Sequence, residues 1–209
     1  DGTVTNVGTA NIGTEAAFDG TDIADDINIV YDTGNDKVLI TYRDGSNSSY
    51  GTAVVGTVSG DSISFGTPVV FESANTIRMS TAYDANAGKI LIVYRDAGNS
   101  NHGTAIVATI SGTSVSFGSA AVGWANTIDA TDVVYSPDDN FSVIIWGLGY
   151  GTYDAYAMSA TISGTSVSFG SEQLIHGGSA TYVRAGQTVY DTTNDRIVFA
   201  FRDAGESNQ

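Results

Sequence analysis

Cysteine is missing from all 209 residues, and proline occurs only twice. The first absence excludes a disulfide framework and any cysteine-ligated zinc site. Leucine and glutamate occur four times each and lysine twice, against abundant Val, Thr, Ser and Gly, so strong helix formers are scarce. No apolar run approaches ~20 residues, so no segment reads as a membrane span. No signal peptide is visible, and a start at Asp1 without Met reads as a processed or excised piece. Basic residues are few, 8 against 23 acids, for a formal charge of -15. Such a balance repels nucleic acid and anionic lipid. Nineteen of the acids are Asp, a turn residue that bonds its own backbone, so much of this charge is expected in loops. Hydrophobic residues make up 42% and include eleven Tyr, too much buriable surface for a disordered tail.

What the chain does contain is a repeat. The stretch IVYDTGNDKVLITYRDGSNSSYGTAVVGTVSGDSISFG from Ile29 recurs as TAYDANAGKILIVYRDAGNSNHGTAIVATISGTSVSFG from Thr81. A third copy starts at Val133 and ends at Gly170, and a fourth begins TVYDTTNDRIVFAFRDAG at Thr188. Marker tyrosines Tyr31, Tyr83, Tyr135 and Tyr190 are spaced by 52, 52 and 55 residues. A second aromatic follows each by eleven residues (Tyr42, Tyr94, Trp146, Phe201), and a third follows the first three of those by 23 (Phe65, Phe117, Phe169). β-Branched runs between Asp-, Asn- and Gly-rich turns predict four short strands per copy. In the second copy these are Arg78–Tyr83, Lys89–Tyr94, Thr104–Ile110 and Ser114–Val122.

Four antiparallel strands per ~50-residue copy is the pattern of a propeller blade. The C-terminus breaks off at RDAGESNQ, and the N-terminal DGTVTNVGTANIG resembles the continuation it lacks. The expected fold is therefore all-β: a single four-bladed β-propeller over 1–209, four antiparallel strands per blade. Repeats fall at about 24–73, 77–126 and 128–178, with 183–209 completed by 1–20. The N- and C-terminal strands would share one blade, which removes exposed edges. A monomeric domain is expected, against an excerpt of a larger array or half of an eight-bladed dimer.

The string YD-x4-K-[VI]-L-I-x-YRD-x2-NS-x2-GTA, followed by SG-x-S-[VI]-SFG, resembles the tandem propeller repeats of marine viral and bacterial proteins. Several of those look like tail or surface-adhesion proteins. The resemblance covers nearly the whole chain and departs at Trp146–Tyr153. It implies the propeller fold and an extracellular or virion-associated setting, and it selects no function, because propellers serve as lectins, scaffolds and enzymes.

Candidate site residues fall in three groups. The NS-x2-GT loops carry Asn47 with Tyr50 and Asn99 with His102, amides beside a ring that could stack on a pyranose; the plainer reading is that Asn and Ser satisfy turn backbone. The third copy replaces the polar loop with an aromatic, Gly-rich one, making Tyr150 and Tyr153 candidates, together with Trp124. Arg78 and Arg184 lie in opening strands where other copies carry acids, among them Asp129. Those opening strands are expected to line the axis, as a structural ion-pair ring or as a polar pocket. YRD pairs repeat with the blade and read as blade assembly. The Asp-rich turns are too short for calcium loops, so no metal and no cofactor is expected. No catalytic residue is assigned: there is no thiol, G-x-S-x-G elbow, H-E-x-x-H or phosphate loop. The expected function is non-catalytic recognition, weak multivalent binding of a glycan or of another protein of the same assembly. The alternatives are a structural spacer in a tail or surface fibre, and a glycan-cleaving enzyme.

Overall fold

The computed structural model describes residues 13–20, 24–148, 154–177, 181–182 and 188–203. They form antiparallel strands with one short 3-10 turn at Ala97–Asn99. The strands are β1 (Ala24–Asp32), β2 (Lys37–Asp44), β3 (Tyr50–Ser59), β4 (Ser62–Phe65), β5 (Val69–Asp84), β6 (Lys89–Asp96), β7 (His102–Ser111), β8 (Ser114–Phe117) and β9 (Ala121–Ser136). They continue with β10 (Phe141–Leu148), β11 (Ala155–Ser163), β12 (Ser166–Phe169), β13 (Gln173–His176), β14 (Thr181–Tyr182), β15 (Thr188–Asp191), β16 (Arg196–Phe199) and β17 (Arg202–Asp203).

Each full repeat is a four-stranded antiparallel unit. In the first, β1 pairs with β2, β2 with β3, and β3 with both β4 and the start of β5. The second and third units repeat this order with β5 to β9 and with β9 to β13. Of the fourth unit, the described residues supply the pairs β15–β16 and β14–β17. The strand predictions for the second copy hold, with one difference. The fourth strand is broken after Phe117, where Gly118 approaches the next unit so closely that a Cβ would lie 1.8 Å from the Thr165 carbonyl oxygen. Its second part then runs on as the opening strand of the next unit. Thus β5 pairs with β3 through Asn75 and with β6 from Thr76, and β9 changes partner in the same way between Thr127 and Ile128.

The expected ring closed by both termini is not seen as strand pairing. Among the described residues the main sheet path is open, and the fourth unit stands as two separate two-stranded sheets. The third and fourth strands expected for that unit lie within residues 1–20, of which 1–12 are outside the described residues and 13–20 form no strand.

Turn chemistry explains the Asp excess. Asp32, Asp84 and Asp191 each accept two backbone N–H bonds from the residues two and three positions on, 2.8–3.2 Å. The same turns end on a left-handed residue, Asp36, Gly88, Asn140 or Asp195, with φ between +53° and +62°. Asn194 and the turn amides hold the Asp191 carboxyl below the usual range.

Units pack face to face through apolar clusters. One joins Leu39, Ala53 and Val55 of the first unit to Ile90, Ile92 and Ile106 of the second; another joins Leu91, Val93 and Val107 to Ile144, Trp146 and Met158. An aromatic from each outermost strand meets the second marker aromatic of the following unit. Phe71 meets Tyr94 at 5.4 Å, Trp124 meets Trp146 at 4.6 Å, and His176 meets Phe201 at 5.1 Å. Phe18 makes the same contact with Tyr42, at 5.1 Å.

Candidate functional site

The β2–β3 and β6–β7 loops and the crossings in β5 and β9 lie at one end of the units. Asp44 opens the first loop by accepting from the backbone N–H groups of Ser46 and Asn47, both 3.0 Å, and from Ser46 Oγ at 2.6 Å. Asp96 accepts from Gly98 N–H at 2.8 Å and Asn99 N–H at 3.1 Å. Ser48, Ser49, Ser100 and Asn101 then turn left-handed, with φ from +56° to +63°. The loops are anchored to the crossings by Thr76 N–H to the Ser49 carbonyl, 3.1 Å, and Ile128 N–H to that of Asn101, 3.4 Å. The YRD acids are therefore anchors of their own unit's turn rather than ties between units; of these pairs it is Arg95 that reaches the crossing strand, at the Ile128 carbonyl, 3.1 Å.

Asn47 and Asn99 are exposed on these loops. Tyr50 and His102 are half-buried and occupy one register position, opposite Asp44 and Asp96 on one side and Asn75 and Thr127 on the other. The structure thus brings Asn47 near Tyr50 and Asn99 near His102, one pair per unit. Tyr150, Tyr153 and Arg184 lie outside the described residues, and Asp129 is described only as backbone within β9. Trp124 is corrected: it is 3% exposed, stacked on Trp146, and belongs to the packing between units.

The opening strands meet one another through polar groups. Ser80 Oγ donates to buried Asp132 at 2.9 Å, Thr81 Oγ1 to Asn28 Oδ1, and Thr131 Oγ1 to the Arg78 carbonyl at 2.5 Å. Arg78 and Asp26 are both left-handed at bulges in their strands, and the Arg78 N–H donates to Asp26. The alternation of whole charges expected here is modified: Asp25 turns instead to Arg43 of its own unit in a two-pronged contact. Among the described residues no cluster of three or more His, Asp or Glu is placed to hold a metal.

One residue escaped the sequence reading. Glu72, half-buried on β5, accepts from Tyr94 Oη at 3.1 Å; burial, and then nearby Asp96, raises its pKa above the usual carboxylate value. Burial, Asp19 and Asp44 likewise push Tyr42 up to about 12. Asp19 follows Phe18 as Glu72 follows Phe71, whereas Ala125 follows Trp124 and Gly177 follows His176. An acid stands only where the next unit offers a tyrosine hydroxyl. The signal was present, since four glutamates in the chain made one beside Phe71 conspicuous, but only the fold puts it under Tyr94.

No family model matches the sequence, and no curated protein matches it. Among solved structures the chain is similar to an exo-β-1,3-galactanase from Phanerochaete chrysosporium with β-1,3-galactotriose, over 73% of this chain at 12% identity and a TM-score of 0.48. It spans 36% of that protein. This finding corrects the expectation that the chain is not an enzyme: the neighbour is itself an enzyme, and the lack of familiar catalytic strings excludes nothing where a pair of carboxylates suffices. At that TM-score the likeness carries no activity across.

Proposed function

We propose that the chain is a four-bladed propeller, completed by its own terminal residues, that takes glycan on the end where the β2–β3 and β6–β7 loops lie. A virion or cell-surface setting fits the resemblance of its repeats. The observation that carries the glycan reading is the recurrence of Tyr50 and His102 at one register position, each half-buried beside an Asp-anchored loop with an exposed amide. A ring face and an amide side by side suit a pyranose, one for its C–H face and the other for its hydroxyls. Repetition in successive units makes each site weak alone, and joint engagement adds ~10²–10⁴ in avidity where a glycan spans them.

The closed ring is supported by the segment at 13–20. A Cβ on Gly13 would lie 2.3 Å from the Asp61 carbonyl oxygen, as one on Gly66 would lie 1.9 Å from that of Thr113. Gly13 and Phe18 thus sit on the first unit as Gly66 and Phe71 sit on the second. The test is an array of neutral and acidic oligosaccharides followed by calorimetry on Tyr50→Ala and His102→Ala, with the same samples read for released reducing ends. Each variant should weaken binding by about tenfold or more, the scale of a stacking contact of ~1.4 kcal/mol. Unchanged affinity in both variants, or silence across the array, refutes the reading.

A further inference from the structure

We propose that the uncovered apolar face of the first unit is the seat of the fourth unit of the same chain, latched by Tyr31 on the turn that follows Tyr190. The inference rests on the four-bladed ring proposed above and is independent of the glycan.

Three tyrosine contacts set the pattern. Tyr83 Oη accepts from the N–H of Gly34, Tyr135 Oη accepts from that of Asn86, and Tyr190 Oη donates to Asp138. Gly34, Asn86 and Asp138 are each the third residue after the marker tyrosine of the preceding unit. The fourth such residue is Thr193, and the tyrosine left to meet it is Tyr31. In the structure Tyr31 is half exposed and keeps only the bond to its own turn, at Asp36 (2.5 Å), which Tyr135 also makes to Asn140 and Tyr190 to Asp195 beside their cross-unit contacts.

The faces repeat the argument. Val58 is 57% exposed, whereas its counterparts Ile110 and Ile162 are 5% and 9% exposed under the preceding unit. Ile27 and Ile29 are exposed as well, where Met79 and Val133 are buried. On the fourth unit Val198 is 52% exposed, while its counterparts Leu39 and Leu91 are fully buried against the following unit. One face lacks a predecessor and the other lacks a successor. The two are the halves of an interface already built twice in the molecule, between the first and second units and between the second and third. By that pattern Val198 belongs against the cluster of Ile40, which is 6% exposed and packed by Phe18, Ala24 and Phe65, as Leu39 packs in one cluster with Ile92.

The experiment uses the full chain. Methyl-labelled protein is examined for a Val198–Ile40 cross-peak, alone and in a mixture of differently labelled chains, and the melting of Val58→Asp, Val198→Asp and Val70→Asp is compared. The expected result is a cross-peak within one chain. Val58→Asp and Val198→Asp should each lower Tm by about 5 °C or more, because each puts a charge on a covered apolar face. Val70→Asp, on an outermost strand, should move it by about 2 °C or less. A cross-peak only between differently labelled chains assigns the face to a second copy and overturns the proposal. So do near-neutral Val58→Asp and Val198→Asp without a cross-peak. An elongated particle in small-angle scattering would remove the ring itself, whereas a compact one with no Val198–Ile40 contact removes only this interface.

Discussion

Substituting Gly103 by Ala tests how closely these units are fitted. Gly103 lies opposite Trp124 in the β7–β9 register, and a Cβ there would sit 1.7 Å from Trp124 Cε2 and 1.9 Å from Nε1. The indole has nowhere to retreat, because it stacks on Trp146 at 4.6 Å and Trp146 stacks on Tyr156 at 5.8 Å. Removing a glycine from the unfolded ensemble stabilises by ~0.4–1 kcal/mol where the site is open. Overpacking a filled core costs ~1–3 kcal/mol, and this contact is far inside van der Waals distance. The net expectation is a loss of about 2 kcal/mol, or ~4–8 °C in Tm for this length. Gly51→Ala, whose Cβ would meet the smaller Phe71 ring at 2.7 Å, should cost less. The third unit already carries alanine here, Ala155 opposite His176, fully buried. Urea titration followed by tryptophan fluorescence reads the series, and Trp124→Phe in the Gly103→Ala background should recover part of the loss. A Gly103→Ala protein within ~0.5 kcal/mol of the parent, or a Gly51→Ala protein that suffers more, would refute the packing argument.

Further outcomes follow from two buried polar pairs, Tyr94 with Glu72 and Ser80 with Asp132. Tyr94→Phe removes the donor to a half-buried carboxylate and should cost about 1.5–3 kcal/mol at neutral pH, with Glu72→Ala restoring most of it, as Phe201 with Gly177 already do in the fourth unit. Because the folded Glu72 pKa is raised, its contribution to stability is full below the ordinary value of 4.5 and is lost as pH rises through the folded value; Glu72→Gln should flatten that part of a stability-versus-pH curve. Ser80→Ala withdraws a 2.9 Å bond from buried Asp132 and should cost ~1–3 kcal/mol by denaturant titration.

Much of the architecture was legible in the spacing of Tyr31, Tyr83, Tyr135 and Tyr190, because a repeated unit must reuse the same turns and the same packing aromatics. Asp32 behaves as its place at a strand end predicts, whereas Asp44, read with Arg43 as part of blade assembly, anchors its own unit's loop. The continuous runs β5 and β9 were not legible: alternation marks a strand, but nothing in Val69–Asp84 marks the residue at which it changes partner. Trp124 misled because an aromatic outside the regular pattern looks like an exposed platform, whereas its repeat position is that of Phe71, and the void above Gly103 swallows it. Glu72 was invisible as a pair with Tyr94 because they are 22 residues apart and on different units. Asn47, Tyr50, Asn99 and His102 were found because the loop pattern repeats, which also ties their chemistry to loop geometry.

The sixteen-residue strands β5 and β9 leave no hinge between the units they serve. One ribbon of backbone is the rim of one sheet and, without a break, the innermost member of the next, so a unit cannot peel away without tearing hydrogen bonds from its neighbour. Thermal melting should accordingly run as a single wave through the first three units rather than as three separate steps, and protease has no linker there to cut.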